Sequence, residues 1–202
     1  MPVVIEGVVE LKKALNKLAP DIKEQMDKEV RESLKPIIRD ARSKVPGSAP
    51  GGLYNWNDPG YVRKSIIGKK EGFPSYNQLI IRRGLTYSLG TKRFDSAGFV
   101  SLFTLLNKSR VGAIIETAGR VGAPNPRSKS NNPNAGERFV GAMNGIGALV
   151  DYAGRGRNST GRLLYAAYAR NQGRALNASL RAIENAKNTF YNRIRVSRGE
   201  VA

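Results

Sequence analysis

The chain has no cysteine and no histidine among its 202 residues. Disulfides, thiol nucleophiles, imidazole bases and every Cys/His zinc pattern are thereby excluded, which leaves carboxylates, Lys, Ser and Tyr for any catalysis. Apolar runs are short as well, and none approaches the roughly 18 residues that span a bilayer. Met1 to Glu10 lacks the basic start and apolar core of a signal peptide, so a cytosolic origin is expected. Acids are scarce, at 16 against 34 Lys and Arg, for a net charge of +18. Up to Val45 the balance is 10 basic to 8 acidic, and the remainder carries 24 to 8. The positive field therefore belongs to the later three-quarters, where it favours nucleic acid, anionic lipid or acidic protein surfaces.

What is present reads first as helix. Pro2 to Ile5 suits a brief strand or extended arm, and Val8, Leu11, Leu15 and Leu18 then stand at helical spacing until Pro20 interrupts them. Asp21 with Glu24 resembles a capping box opening a longer helix. Its stripe is Ile22, Met26, Val30, Leu34, Ile37 or Ile38, Ala41 and Val45; Pro36 should bend it and Pro46 should end it. Gly47 to Gly60 is a loop carrying Leu53, Tyr54 and Trp56, aromatics that either anchor a partner or fold back onto the core.

Beyond the loop the period shortens toward two. Tyr61 to Lys69, Gln78 to Arg83, Phe99 to Leu106 and Val111 to Ile115 read as strands of one small antiparallel sheet, the last run serving equally as the start of a short helix. Thr117 to Arg162 breaks this pattern with nine glycines, seven basic residues and two acids. It is too polar to bury a core of its own, so it is expected to be an insertion or flexible arm, within which Phe139 to Tyr152 forms a small element. From Leu163 helical spacing returns through Leu164, Ala167, Leu176, Leu180, Ile183, Phe190 and Ile194, with a strongly basic outer face. The expected fold is a single α+β domain over 1–202: two long helices packed on a small antiparallel sheet, with a basic Gly/Asn-rich insertion at 117–162 before the C-terminal helix.

Motifs for small-molecule chemistry are weak. The strings Gly141 to Gly147 and Gly154 to Arg157 lack the strand-turn-helix setting of a dinucleotide fold, and no phosphate loop is present. Acids after Val45 stand singly, without local support for a metal site or paired carboxylates. The reading is therefore not an enzyme, with no cofactor and no metal. The dense cations Arg155, Arg157, Arg162, Arg170, Arg174 and Arg181 are docking candidates, either for acidic neighbouring subunits or, in the alternative reading, for the phosphates of DNA or RNA.

The order of parts resembles a known family. A helix ends in Ala-Arg-Ser-Lys-Val-Pro at Ala41 to Pro46, and Gly60-Tyr61-Val62-Arg63-Lys64-Ser65-Ile66 follows. Strands come next, then an Ala-x-x-Glu element at Ala113 to Glu116 with Gly119 close behind, and a terminal helix. This is similar to the tail-completion family of long-tailed bacteriophages, minor tail components of the neck; Pro59 and Val62 stand where that family usually has Thr and Leu. The resemblance implies a virion structural protein at the head-tail junction, made in the host cytoplasm and assembled as a ring, expected to be sixfold. Implied partners are further copies of itself, head connector or stopper, tail terminator and tail tube proteins, with genomic DNA in the channel as a further candidate and no membrane. It also singles out Pro46, Gly60, Arg63, Ser65, Ile66, Glu116 and Gly119 as motif residues. Gly60 would allow a tight turn and Ser65 a backbone bond at a sheet edge. Glu116, an acid closing an apolar run in a basic protein, suits pairing with an Arg of its own or a neighbouring subunit.

Overall fold

The computed structural model describes residues 8–51, 56, 74–89, 102–120, 135–154 and 159–197. Ten elements follow in chain order among them: α1 (Val8–Leu18), α2 (Pro20–Ser43), α3 (Gln78–Gly84), β1 (Leu85–Leu89), β2 (Phe103–Asn107), α4 (Arg110–Thr117), α5 (Ala135–Asn144), β3 (Val150–Asp151), β4 (Thr160–Gly161) and α6 (Leu164–Ser197). The architecture is α+β, with long helices and little sheet: β1 pairs with β2, and β3 with β4. The chain groups into two compact units. One comprises 1–36, 87–105 and 171–202, the other 37–86 and 106–170, so both α2 and α6 contribute to each.

In the first unit α1 passes into α2 with little interruption. Ala19 donates to the Leu15 carbonyl at 2.9 Å and accepts from Lys23 at 3.2 Å, while Pro20, lacking an N–H, takes the first helical position where that donor has no partner to lose. The helix thus opens one residue ahead of the Asp21–Glu24 capping box read from the sequence, and Asp21 lies inside its first turn. Leu15, Ile22, Met26, Val30 and Leu34 are buried along one stripe of α1 and α2. On α6 the buried residues are small: Ala175, Ser179, Ala182 and Ala186, at steps of three and four. The two helices run antiparallel, because Asp21 meets Arg193 and Ser33 meets Ser179, so rising numbers on one match falling numbers on the other. The Ser33 hydroxyl donates to the Val30 carbonyl at 2.7 Å, so across the 3.3 Å Ser33–Ser179 contact it is Ser179 that donates.

In the second unit the stripe of α2 continues through Ile37, Ile38, Ala41 and Val45, all buried, and α2 remains helical through Pro36. It ends at Ser43, shortly before Pro46. Carbonyls at and just beyond its end find donors: Arg42 O accepts from Val45 N and Arg82 Nε, Val45 O from Gln78 Nε2, and Pro46 O from the Tyr76 hydroxyl. Trp56 is 2% exposed, donates Nε1–H to Pro74 O at 2.9 Å and lies edge-on to Tyr76. It folds back onto the core; Leu53 and Tyr54 lie outside the described residues.

One strand expectation is corrected and one open run takes its helical alternative. Gln78 to Arg83 is helix α3, because Asn77 caps it by accepting from Ile80 N at 3.0 Å, and extended chain begins only at Leu85. Val111 to Ile115, read as strand or equally as the start of a short helix, lies in helix α4, capped by Ser109, whose Oγ accepts from Gly112 N at 3.1 Å. The run Phe99 to Leu106 becomes β2 from Phe103 onward, and β1 was not foreseen. The end of α3 meets the start of α4 closely: a Cβ on Gly84 would lie 2.8 Å from Ser109 N. Lys108 N donates to Gly84 O, which sets the end of β2 beside the start of β1 and makes the pair antiparallel. The expected strands at Pro2 to Ile5 and Tyr61 to Lys69 lie outside the described residues.

The described parts of 117–162 join this second unit. Met143 on α5 is fully buried, Ser159 is 2% exposed, and the β3–β4 ribbon pairs Val150 with Gly161 and Asp151 with Thr160. Residues 121–134 and 155–158 lie outside the description.

Candidate functional site

Buried charge in the second unit gathers where α4 meets the start of α6. Glu116, in the last turn of α4, is 3% exposed. Its Oε2 accepts from Leu163 N at 3.1 Å and Leu164 N at 2.9 Å, and its Oε1 from Tyr165 N at 3.1 Å. These amides open α6 and have no carbonyl of their own helix to bond. Glu116 is therefore an N-cap supplied from another helix, placing a carboxylate on the positive end of the α6 dipole. Burial pushes its carboxyl above the usual range, while the three amides and the Arg120 charge pull it back.

Arg162 completes the junction. It is 2% exposed, and its guanidinium donates to the Ile115 and Ala118 carbonyls and to Asn144 Oδ1. The end of α4 and the end of α5 are thus tied by one side chain, which satisfies carbonyls that the last turn of α4 leaves unbonded. Desolvation lowers the Arg162 pKa from its ordinary value and Glu116 opposes that shift. Two glycines let the groups approach. Gly119 has φ +80°, and a Cβ there would lie 2.8 Å from Val140 Cγ1. At Gly161 a Cβ would overlap Glu116 Oε1 and come within 2.7 Å of Tyr165 Cδ2. Around them Arg120 sits 5.1 Å from the centre of the Tyr165 ring, and Tyr152 contacts both Tyr165 and Tyr168.

Chemically this junction positions rather than reacts. A carboxylate enclosed by protein and committed to three amides offers nothing to a substrate. Among the described residues no group of three or more acids could hold a metal ion. No described helix is long and apolar enough to cross a membrane.

The candidate residues thus separate. Of the motif set, Glu116 and Gly119 meet at the junction, and Pro46 offers its carbonyl to Tyr76. Gly60, Arg63, Ser65 and Ile66 lie outside the described residues, as do Arg155 and Arg157. Arg162 is corrected: its guanidinium is spent on internal carbonyls, so it presents no cation for docking. Glu116 feels the Arg120 and Arg162 charges, and its hydrogen bonds go to the backbone amides that open α6. Arg170 is exposed and meets Asp40 at 3.0 Å, and Arg174 and Arg181 are exposed on α6. Sequence reasoning missed Asn144 and Gly161 at the junction, and an apolar pair on α3, Leu79 and Ile80, which stand 62% and 60% exposed. The signal for that pair was the cap: with Asn77 opening a helix, only Ile81 of the run Leu79-Ile80-Ile81 points inward. No protein-family model, curated protein or solved structure matches the chain.

Proposed function

We propose that the protein is a structural subunit of a bacteriophage head-tail junction, a tail-completion or neck component that works by assembling and not by transforming a small molecule. The observation that carries this reading is the order of motif-bearing parts on the fold: a long helix ending just before Pro46, a small antiparallel sheet, the Ala113–Glu116 element with Gly119 behind it, and a long terminal helix. Glu116 and Gly119 each have a definite task in that arrangement, since Glu116 caps the start of the last helix and Gly119 gives Val140 of α5 room behind α4. A surface suited to subunit contact supports it. Leu79 and Ile80 project from α3 beside Arg82 and Arg83, an apolar centre with a cationic rim. In a ring of identical copies such a patch meets a different patch on the next subunit, and rotation closes the series. The ring is proposed to be sixfold by the same resemblance, with head connector, tail terminator and tail tube proteins as neighbours.

Imaging of purified particles with this chain located tests the reading. Density for a ring at the joint between head and tail is expected, together with self-association of the isolated protein that Leu79→Ser with Ile80→Ser weakens without loss of helix. A protein that stays monomeric and is absent from purified particles refutes it.

A further inference from the structure

The two long helices of the first unit show solvent faces of different charge. On α2 up to residue 36 the exposed charged residues are Asp21, Glu24, Lys28, Arg31, Glu32 and Lys35, three of each sign. On α6 from residue 171 onward there are five exposed cations against Glu184 alone. Solvation requires charge but not charge of one sign, so the second face calls for an explanation that the first does not.

Its residues lie in a line. Arg174, Asn177, Arg181, Glu184, Asn188, Asn192 and Arg195 are all exposed and follow one another at steps of 3, 4, 3, 4, 4 and 3, on the side of α6 opposite buried Ala175, Ser179, Ala182 and Ala186, so the row carries three cations and one acid. At 1.5 Å per residue the line is about 31 Å long. Every member except Glu184 donates hydrogen bonds, and exposed Leu180 and Tyr191 fall at the border of the line. A protein interface is built around an apolar or aromatic centre, which this line lacks. Its partner must instead present negative charge of matching extent. A folded protein surface mixes signs over such a distance, whereas a duplex carries one phosphate charge per about 1.7 Å of axis. Arg and Asn are among the side chains that contact phosphate oxygens irrespective of sequence.

We propose that this face of α6 docks the phosphate backbone of duplex DNA without sequence preference, with Arg174, Arg181 and Arg195 each neutralising a phosphate. The proposal stands apart from the assembly reading, since it rests on the charge and spacing of one helix face and would hold in a monomer.

The test is binding of the full-length protein to an arbitrary duplex of about 20 base pairs by fluorescence anisotropy across a salt series. Wild type should weaken steeply with salt. Arg174→Gln with Arg181→Gln and Arg195→Gln should flatten the plot of log K against log salt by about 2.7, and weaken binding more than about a hundredfold near 0.1 M salt. Arg181→Gln alone should flatten it by about 0.9, which keeps the question answerable should the triple variant lose its circular dichroism. The control, Lys28→Gln with Arg31→Gln and Lys35→Gln, removes the same charge from α2 and should leave the slope nearly unchanged. Equal loss in the control would reduce the effect to net charge and overturn the proposal, as would unaltered binding by the α6 variants. Poly-glutamate bound as tightly as duplex, with the same arginine dependence, would overturn it in favour of an acidic protein partner.

Discussion

Replacing Glu116 removes the acceptor of three first-turn amides at once, and the cost can be worked from the geometry. In Glu116→Ala the N–H groups of Leu163, Leu164 and Tyr165 lose their partner where Leu163 is fully buried and Leu164 is 6% exposed. A buried unsatisfied donor costs about 1–3 kcal/mol, and loss of the carboxylate from the helix terminus adds about 0.5 kcal/mol. Release of the desolvated charge returns part of this, so a net loss of about 3 kcal/mol is expected. Glu116→Gln should fall between: its amide keeps one oxygen for Leu163 and Leu164 but turns an N–H₂ toward Tyr165 N, at about 1.5 kcal/mol. Urea unfolding measures the global loss. Amide hydrogen exchange measures the local one, since protection at residues 163–165 should drop in the alanine variant before the rest of α6 responds. Stability of Glu116→Ala within about 0.5 kcal/mol of wild type, the range of an ordinary surface change, would refute the capping argument, and so would a Gln variant less stable than Ala.

Gly161→Ala should destabilise by about 2 kcal/mol, read from thermal unfolding, because its methyl overlaps Glu116 and crowds Tyr165; an unchanged midpoint would mean that the junction has slack. Asp21, paired to Arg193 through two bonds of 3.0 and 2.7 Å, has its carboxyl held at about 2 against an ordinary 3.8. The folded state therefore holds this proton less tightly than the unfolded state, so the pair's contribution is present above pH 3.8 and lost as pH falls through about 2; Asp21→Asn should flatten that part of the acid limb in urea titrations. The Tyr76 phenol is pushed up to about 12 by burial from an ordinary 10.0, so its contribution is present below pH 10 and lost as pH rises toward 12. Tyr76→Phe should remove a late step from the tyrosinate absorbance titration and cost about 1–2 kcal/mol by stranding the Pro46 carbonyl. Trp56→Leu should cost about 3 kcal/mol, and in wild type the chain's one tryptophan should emit at short wavelength until unfolding exposes it.

Long helices were legible because their evidence is repeated. Every expected stripe position of α2 from Ile22 to Val45 is buried, and seven or eight concordant residues outweigh a proline in their midst. The run Gln78 to Arg83 offered too few turns for its period to count, and the deciding residue, Asn77, lay just outside it. The junction was legible only in part, for a different reason. Glu116 stood out as an acid closing an apolar run, yet its partners are backbone amides 47 to 49 residues away, which no side-chain pattern announces. Charge counting likewise grouped Arg162 with Arg155, Arg157 and Arg170, because a census of cations carries no information about burial.

Arg162 and Arg181 therefore do opposite work with the same side chain. At Arg162 the planar guanidinium is enclosed, and its value lies in a fan of donors that holds two helix ends from within. At Arg181 no described residue takes up those donors, which leaves the long-range field and the hydrogen bonds for an external anion. Packing beneath the outer face makes it effective. A helix seated along Ala175, Ser179, Ala182 and Ala186 holds its cations in register, so a polyanion binding there orders few flexible residues and retains more of the electrostatic gain. Loosening that seat at Ala182 should accordingly weaken duplex binding while leaving every surface arginine in place. That outcome, measured on Ala182→Gly beside Arg181→Gln, would tie the exposed face to the packing under it; unchanged binding by Ala182→Gly would show that the face acts without it.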